Sequence, residues 1–329
     1  MSLKLMEKTD EITILGSKEI EILEVVKNTN PVNYSFFWGA LSLISIILLG
    51  FFAPSGLILL GFIGVIVTTH EAGHYWAAKK TGIKPTEFFW GFGPEVFSIE
   101  KNGCKYGLKA LSLGGYVKLE GMNKDSDLPK GFLEEDTFRS ASHTARLITI
   151  LAGPAVNLVT AVITFIGVSL LKGETIAASI KNGFSDTWDV IYFTGVALSN
   201  IFTNIGAYIG SVFGDVSEAP TRLMSPVSQS QYSAAMVEGG LTTSLMWFGL
   251  LSCAIGAINL LPLPPLDGFH AISALVEGVN RKIFGKKDFS IDAKKFLPIA
   301  YMTIGILLLL AVSALIMDLR DPMELQAPV

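Results

Sequence analysis

His70, Glu71 and His74 form the pattern H-E-x-x-H, at the end of a stretch from Asn28 to Thr69 that holds no charged residue. On a helix, residues four apart leave the same face about 6 Å apart along the axis. Two imidazoles so placed suit two corners of a zinc tetrahedron, and Glu71 beside them is a candidate base for water activated by the metal. Two histidines and a glutamate are expensive at the end of a membrane-length run, which makes function the default reading of such groups. The plainer alternative is a helix end whose histidines meet headgroups or core partners.

A catalytic zinc takes three protein ligands and keeps one position open. The chain has two other histidines, His143 and His270. A second polar site closes another apolar run, at Asn259-Leu260-Leu261-Pro262-Leu263-Pro264-Pro265-Leu266-Asp267-Gly268. Prolines at 262, 264 and 265 cannot continue a regular helix. Broken backbone is tolerated within a membrane only where protein buries it or a polar cavity needs lining. Asp267, arriving there, needs a counter-charge, and a metal ion supplies one. Asp267 is therefore the expected third ligand. His270 competes for that place, with a position behind the ligands or in helix packing as its other use. Asn157, in Ala152-Gly153-Pro154-Ala155-Val156-Asn157, also needs a partner in an apolar span, for structure or for catalysis.

These groups must be positioned by membrane helices. Half of the 329 residues are hydrophobic and 16% are charged, against about a quarter charged in ordinary globular chains. The composition is that of an integral membrane protein, with the lipid bilayer as its solvent. A net charge of −4 argues against a nucleic-acid partner. Cys104 and Cys253 are too few for a disulfide framework. The first 30 residues mix Glu and Lys, so no cleavable signal peptide is expected.

The expected fold is an all-α polytopic membrane protein with a small β-hairpin region and about five transmembrane helices. A lead at 1–33 precedes an additional helix within 34–56 and a Pro/Gly turn at 53–57. Residues 57–172 hold the H-E-x-x-H helix, a loop with short strands near 88–94 and 111–119, and the Gly-Pro helix at 147–171. Residues 173–239 form an extracytoplasmic loop with an interfacial or re-entrant segment at 190–214. The Asp267 segment and a last span at 296–317 fill 240–318, and 319–329 is a tail. The loops at 81–142 and 281–296 are rich in Lys and Arg, which places both in the cytoplasm, along with the N-terminus. The His70/His74 and Asp267 segments then end on the same side, where the three groups can meet.

At this point the sequence resembles the site-2 protease family of intramembrane zinc metalloproteases, over residues 57–172 and 240–318. His70-Glu71-x-x-His74 matches the family's first motif and Asn259-x-x-Pro262-x-Pro264-x-x-Asp267-Gly268 its second. Gly91-Phe92-Gly93-Pro94, Gly114-Gly115-Tyr116-Val117-Lys118 and Ala152-Gly153-Pro154-x-x-Asn157 fall in the family's order. The resemblance implies a metalloendopeptidase with a three-helix core, its zinc (Zn2+) held by His70, His74 and Asp267, with Glu71 as general base and then acid. Asn259, Asn157, Pro264 and the strand-like Gly114 and Gly115 would engage the substrate, the last two through a membrane-associated β-hairpin. The implied substrates are transmembrane proteins such as anti-sigma factors, signal-peptide remnants or other regulators, in a bacterial inner membrane. Residues 172–240 leave little room for a PDZ domain, and the C-terminal tail none for a CBS domain. Two rival readings are a CaaX-type membrane metalloprotease, which would take Glu277 as its third ligand, and a non-proteolytic zinc-binding transporter or adaptor.

Overall fold

The computed structural model describes residues 53–122, 127–285 and 289–322. The expected lead and residues 34–52 of the expected first helix lie outside them, as does most of the tail. Helix α1, Pro54–Lys80, begins on a proline whose missing N–H is no loss in a first turn, and ends on Lys79 and Lys80 at its negative pole. Pro54 thus opens the helix, whereas the sequence reading had placed it in a turn at 53–57.

Strands β1, Pro85–Lys101, and β2, Cys104–Leu119, form an antiparallel hairpin, longer than the two short strands expected. Its tip is Asn102-Gly103, both at positive φ (55° and 73°), the geometry of a two-residue hairpin turn. Each strand bends, and the register folds over itself. The start of β1 pairs with the end of β2 (Phe89 opposite Tyr116, Trp90 opposite Gly115) and also with the start of β2 (Phe88 opposite Tyr106, Trp90 opposite Leu108). The end of β1 pairs only with the start of β2, as in Ile99 opposite Tyr106. The segment Gly115–Leu119 therefore lies at one edge of the small sheet.

Helix α2, His143–Leu171, is capped by Ser142, whose hydroxyl accepts from the Ala145 amide at 3.2 Å. It is followed by α3 (Ile176–Thr203), α4 (Ile205–Phe213), α5 (Pro226–Glu238), α6 (Leu241–Asn259), α7 (Asp267–Ile283) and α8 (Leu297–Arg320). Helix α2 is the hub, packing against α1, α3, α6 and α7. Close approach of the helices is made possible by small residues. A Cβ on Gly73 of α1 would stand 2.7 Å from the Ala152 carbonyl of α2.

Residues 173–239, read from sequence as a loop with one special segment, are mostly helical. The charges that hid this, Lys181, Asp186 and Asp189, sit on the exposed face of α3. Ser179, Gly183 and Thr187 are buried, and Gly183 packs on the Val162 carbonyl of α2. Within 190–214, the expected interfacial or re-entrant segment, α3 and α4 meet at Asn204 with an 82° bend, the geometry of a broken span or of a re-entrant loop. Among the described residues, four segments, α1, α2, α6 and Ala293–Arg320, are long and apolar enough to cross a membrane, and the bent pair makes a fifth if it is one span. Asp318 fastens α8 to α5, accepting from the Ser225 amide at 2.9 Å and the Ser228 hydroxyl at 2.6 Å.

Between α6 and α7 the helix is broken over residues 260–266, where the three prolines were expected to interrupt it. Gly268 in the first turn of α7 lies so close to the Leu260 and Leu261 carbonyls that no Cβ fits. The other end of α7 is held by Glu277, which is 4% exposed. It accepts from Arg146 of α2 at 2.5 Å and from the Ile291 amide at 2.6 Å. Removing one partner of a buried pair strands the other charge, at a cost of about 3–5 kcal/mol. Glu277→Ala should therefore lower the thermal unfolding midpoint in detergent sharply, and Glu277→Ala with Arg146→Leu should recover much of the loss. Equal midpoints for wild type and Glu277→Ala would show the pair to be dispensable.

Candidate metal centre

His70 and His74 leave one face of α1, with ring centroids 4.8 Å apart and planes nearly perpendicular. Their Nε2 atoms are 3.2 Å apart. Asp267, the first residue of α7, brings Oδ2 to 3.0 Å from His70 Nε2 and 3.3 Å from His74 Nε2. The three donor atoms form a nearly equilateral triangle. A tetrahedron with bonds of about 2.0–2.1 Å has edges of about 3.3 Å, so the donor set fits one zinc ion in both chemistry and size. Among the described residues this is the cluster of His, Cys, Asp and Glu able to hold a metal. His70 is buried, while the Asp267 side chain keeps 22% of its surface, which leaves an approach from one side.

The wall behind the histidines is α2. His74 Nδ1 lies 2.9 Å from the Thr149 carbonyl, and His70 Nδ1 lies 3.2 Å from the amide nitrogen of Asn157. Between them Gly153 faces the rings: a Cβ there would overlap His74 Nε2 and come within 2.8 Å of His70 Nε2. Thr149, Gly153 and Asn157 follow one another at intervals of four and so share one helix face. The A-G-P-x-x-N stretch stands out in the sequence for Asn157, an amide in an apolar span. The place of Thr149 was missed, because a main-chain carbonyl leaves no mark in residue type.

Glu71 lies beside the cluster, within electrostatic range of His70, His74 and Asp267, and takes the Val117 main-chain amide as a partner. Gly115 of β2 is set directly on it. A Cβ at Gly115 would stand 3.2 Å from Glu71 Cγ, 3.3 Å from Val67 and 3.1 Å from the Phe89 carbonyl. The next glycine, Gly114, packs against the Phe92 ring. Asn259 ends α6 and is half-buried, and Pro264 is buried within the break between α6 and α7.

Asn157 is fully buried and its side chain meets the back of His70, not the open side of the triangle. His270 stands outside the cluster, edge-on to the Phe269 ring. His143, at the start of α2, packs on Gly278. Glu277 is committed to Arg146 and Ile291, so the third ligand of the CaaX-type reading is spent elsewhere. Cys104 and Cys253 are buried and free.

The sequence profile of peptidase family M50 matches residues 58–303. A Clostridium acetobutylicum protein provisionally named a zinc metalloprotease is 25% identical over 298 residues, covering 67% of this chain and 86% of its own length. A Campylobacter jejuni protein, also provisionally so named, is 23% identical over 339 residues, covering 76% and 91% respectively. The zinc metalloprotease Rip1 of Mycobacterium tuberculosis is 32% identical over 109 residues, a third of this chain and 27% of Rip1. With the profile covering most of its length and the His70–His74–Asp267 triangle inside the matched region, the chain belongs to peptidase family M50, the site-2 protease family of zinc metalloproteases.

Proposed function

We propose that this protein is an intramembrane protease that cuts peptide bonds in or near the transmembrane segments of membrane-anchored proteins. Anti-sigma factors, signal-peptide remnants and other regulators are the substrate classes in view. The observation that carries the reading is the convergence of His70, His74 and Asp267 within 3.0–3.3 Å, beside Glu71 and under a strand edge. Membrane embedding is supported by the four to five apolar helices and by the large apolar side chains on their outer faces, such as Ile163 at 64% exposed and Leu308 at 63%. Lys and Arg in 81–142 and 281–296 favour a cytoplasmic location for both loops and for the N-terminus, in a bacterial inner membrane.

His70, His74 and Asp267 would hold the zinc, which when bound polarises the scissile carbonyl and brings the pKa of water near neutrality. Glu71 takes the proton from the attacking water and returns it to the leaving amide nitrogen. A transmembrane helix hides its carbonyls in its own hydrogen bonds, so the substrate must open locally. The Gly115–Leu119 segment is paired with β1 along one side, and Val117 on it reaches Glu71. An opened substrate added along that segment as a further strand would present its carbonyls to the centre. Gly114, Gly115, Asn259 and Pro264 are the residues proposed to shape this path.

Glu71→Gln should bind zinc as wild type does and lose about 10²–10⁴-fold in cleavage of a membrane-anchored reporter, the range for a lost acid–base group. Asp267→Ala should lose the metal as well, measured by elemental analysis of the purified protein. Normal cleavage by Glu71→Gln would remove Glu71 from its role. Gly115→Ala pushes a methyl group against the Glu71 side chain. It should lower kcat about tenfold, on the scale expected for small misplacement of a catalytic group, with zinc content unchanged. An unaltered kcat would show that the strand does not govern the position of Glu71.

A further inference from the structure

We infer that Asn157 is a positioning residue for His70, holding that ring in the tautomer whose Nε2 can bind the metal; this rests on the zinc-site reading above. An imidazole nitrogen binds a metal through its lone pair, so a ring ligating by Nε2 carries its proton on Nδ1 and needs an acceptor there. His74 has one, the Thr149 carbonyl at 2.9 Å. The group at His70 Nδ1 is the Asn157 amide, at 3.2 Å, in a fully buried position.

Asn157 Oδ1 is buried and has no hydrogen-bond partner. With Nδ2 towards the ring, the amide donates to Nδ1 and drives the ring proton onto Nε2, where it blocks ligation. A half-turn of the amide places Oδ1 at Nδ1, and the buried oxygen gains the one donor the metal-binding tautomer offers. In either orientation one head of the amide lies unpaired in an apolar wall, which costs stability. Packing alone would be better served by an aliphatic side chain. The bond from the Ser252 hydroxyl goes to the Asn157 main-chain carbonyl, at 3.0 Å, and does not call for an asparagine. What does call for one is the ring in front of it. Asn157 thus does for His70 what the Thr149 carbonyl does for His74, from the same face of α2.

The test uses the full chain in detergent, with zinc affinity measured by competition against a chromophoric chelator. Asn157→Leu removes the acceptor, Asn157→Asp keeps one, and Asn157→Ala stands in should the leucine fail to fold. Leucine or alanine should weaken zinc binding 10–100-fold, the range for lost partners behind a metal ligand. The zinc-stripped Asn157→Leu protein should unfold at or above the wild-type temperature. Aspartate should restore affinity to within a few-fold of wild type. Wild-type zinc affinity in both Asn157→Leu and Asn157→Ala, or failure of aspartate to rescue, overturns the assignment. Wild-type affinity with cleavage lost would move Asn157 to the substrate instead. Zinc retained by His70→Ala overturns the zinc-site reading itself, and this assignment with it.

Discussion

A carboxylate 197 positions away along the chain has to be delivered to the open side of two imidazoles that one helix face already holds together. The histidine pair comes cheaply, because four-residue spacing on α1 makes it. Asp267 does not, and most of the surrounding architecture serves its delivery. Three electron-rich donors 3.0–3.3 Å apart repel one another unless a proton or a cation lies between them. The scaffold must therefore hold them against that repulsion. It does so from both ends of α7. Gly268 lets the first turn press against the Leu260 and Leu261 carbonyls, and the Arg146–Glu277 pair fixes the far end to α2.

The same helix, α2, answers a second demand, that of making room for the rings while staying close to α1. Gly73 allows the two backbones to touch, and Gly153 removes the side chain that would otherwise overlap the imidazole rings at their Nε2 atoms. Pro154, next to it, has no N–H to close the ladder back to Ile150. A helix built this way is a poor helix by propensity. Its length and its buried face keep it intact, with Ile150, Ala161 and Phe165 all within the core.

The site was more legible in the sequence than the fold around it, and the reason is chemical. Charged or polar groups in an apolar run stand out against their background, so His70, Glu71, His74 and Asp267 could each be singled out from residue type and neighbours. The break at the three prolines was legible for a similar reason, since Pro262, Pro264 and Pro265 exclude a continuous helix whatever surrounds them. Residues 173–239 were not. There, Lys181, Asp186 and Asp189 interrupt the apolar pattern from the exposed side of α3, while the packing face is written in Ser179, Gly183 and Thr187, small residues with no hydropathy signal. The hairpin's length was underestimated because its register doubles back, and periodicity along one strand carries no information about which partner it meets. The backing of the histidines depends on a carbonyl and on the orientation of an amide, neither of which is a residue type.

The hairpin then acquires a reason for its shape. A sheet edge is useful beside a hydrolytic centre only if it stays at a fixed height above the base, and a single free strand would not. Here the start of β1 is paired on both sides, with Gly115–Leu119 on one and the start of β2 on the other, so the edge segment is backed by a strand that is itself held from behind. Phe89, buried and stacked on Tyr116, joins those layers, and the Tyr116 hydroxyl donates to Glu87 across the same pair. The glycine at 115 lets this stiff unit sit against Glu71 and Val67 with no side chain between. In the proposed reaction, substrate backbone, strand edge and general base would then be held by one rigid body, α1 with the hairpin resting on it. Pre-organisation of that kind lowers the entropic part of the barrier.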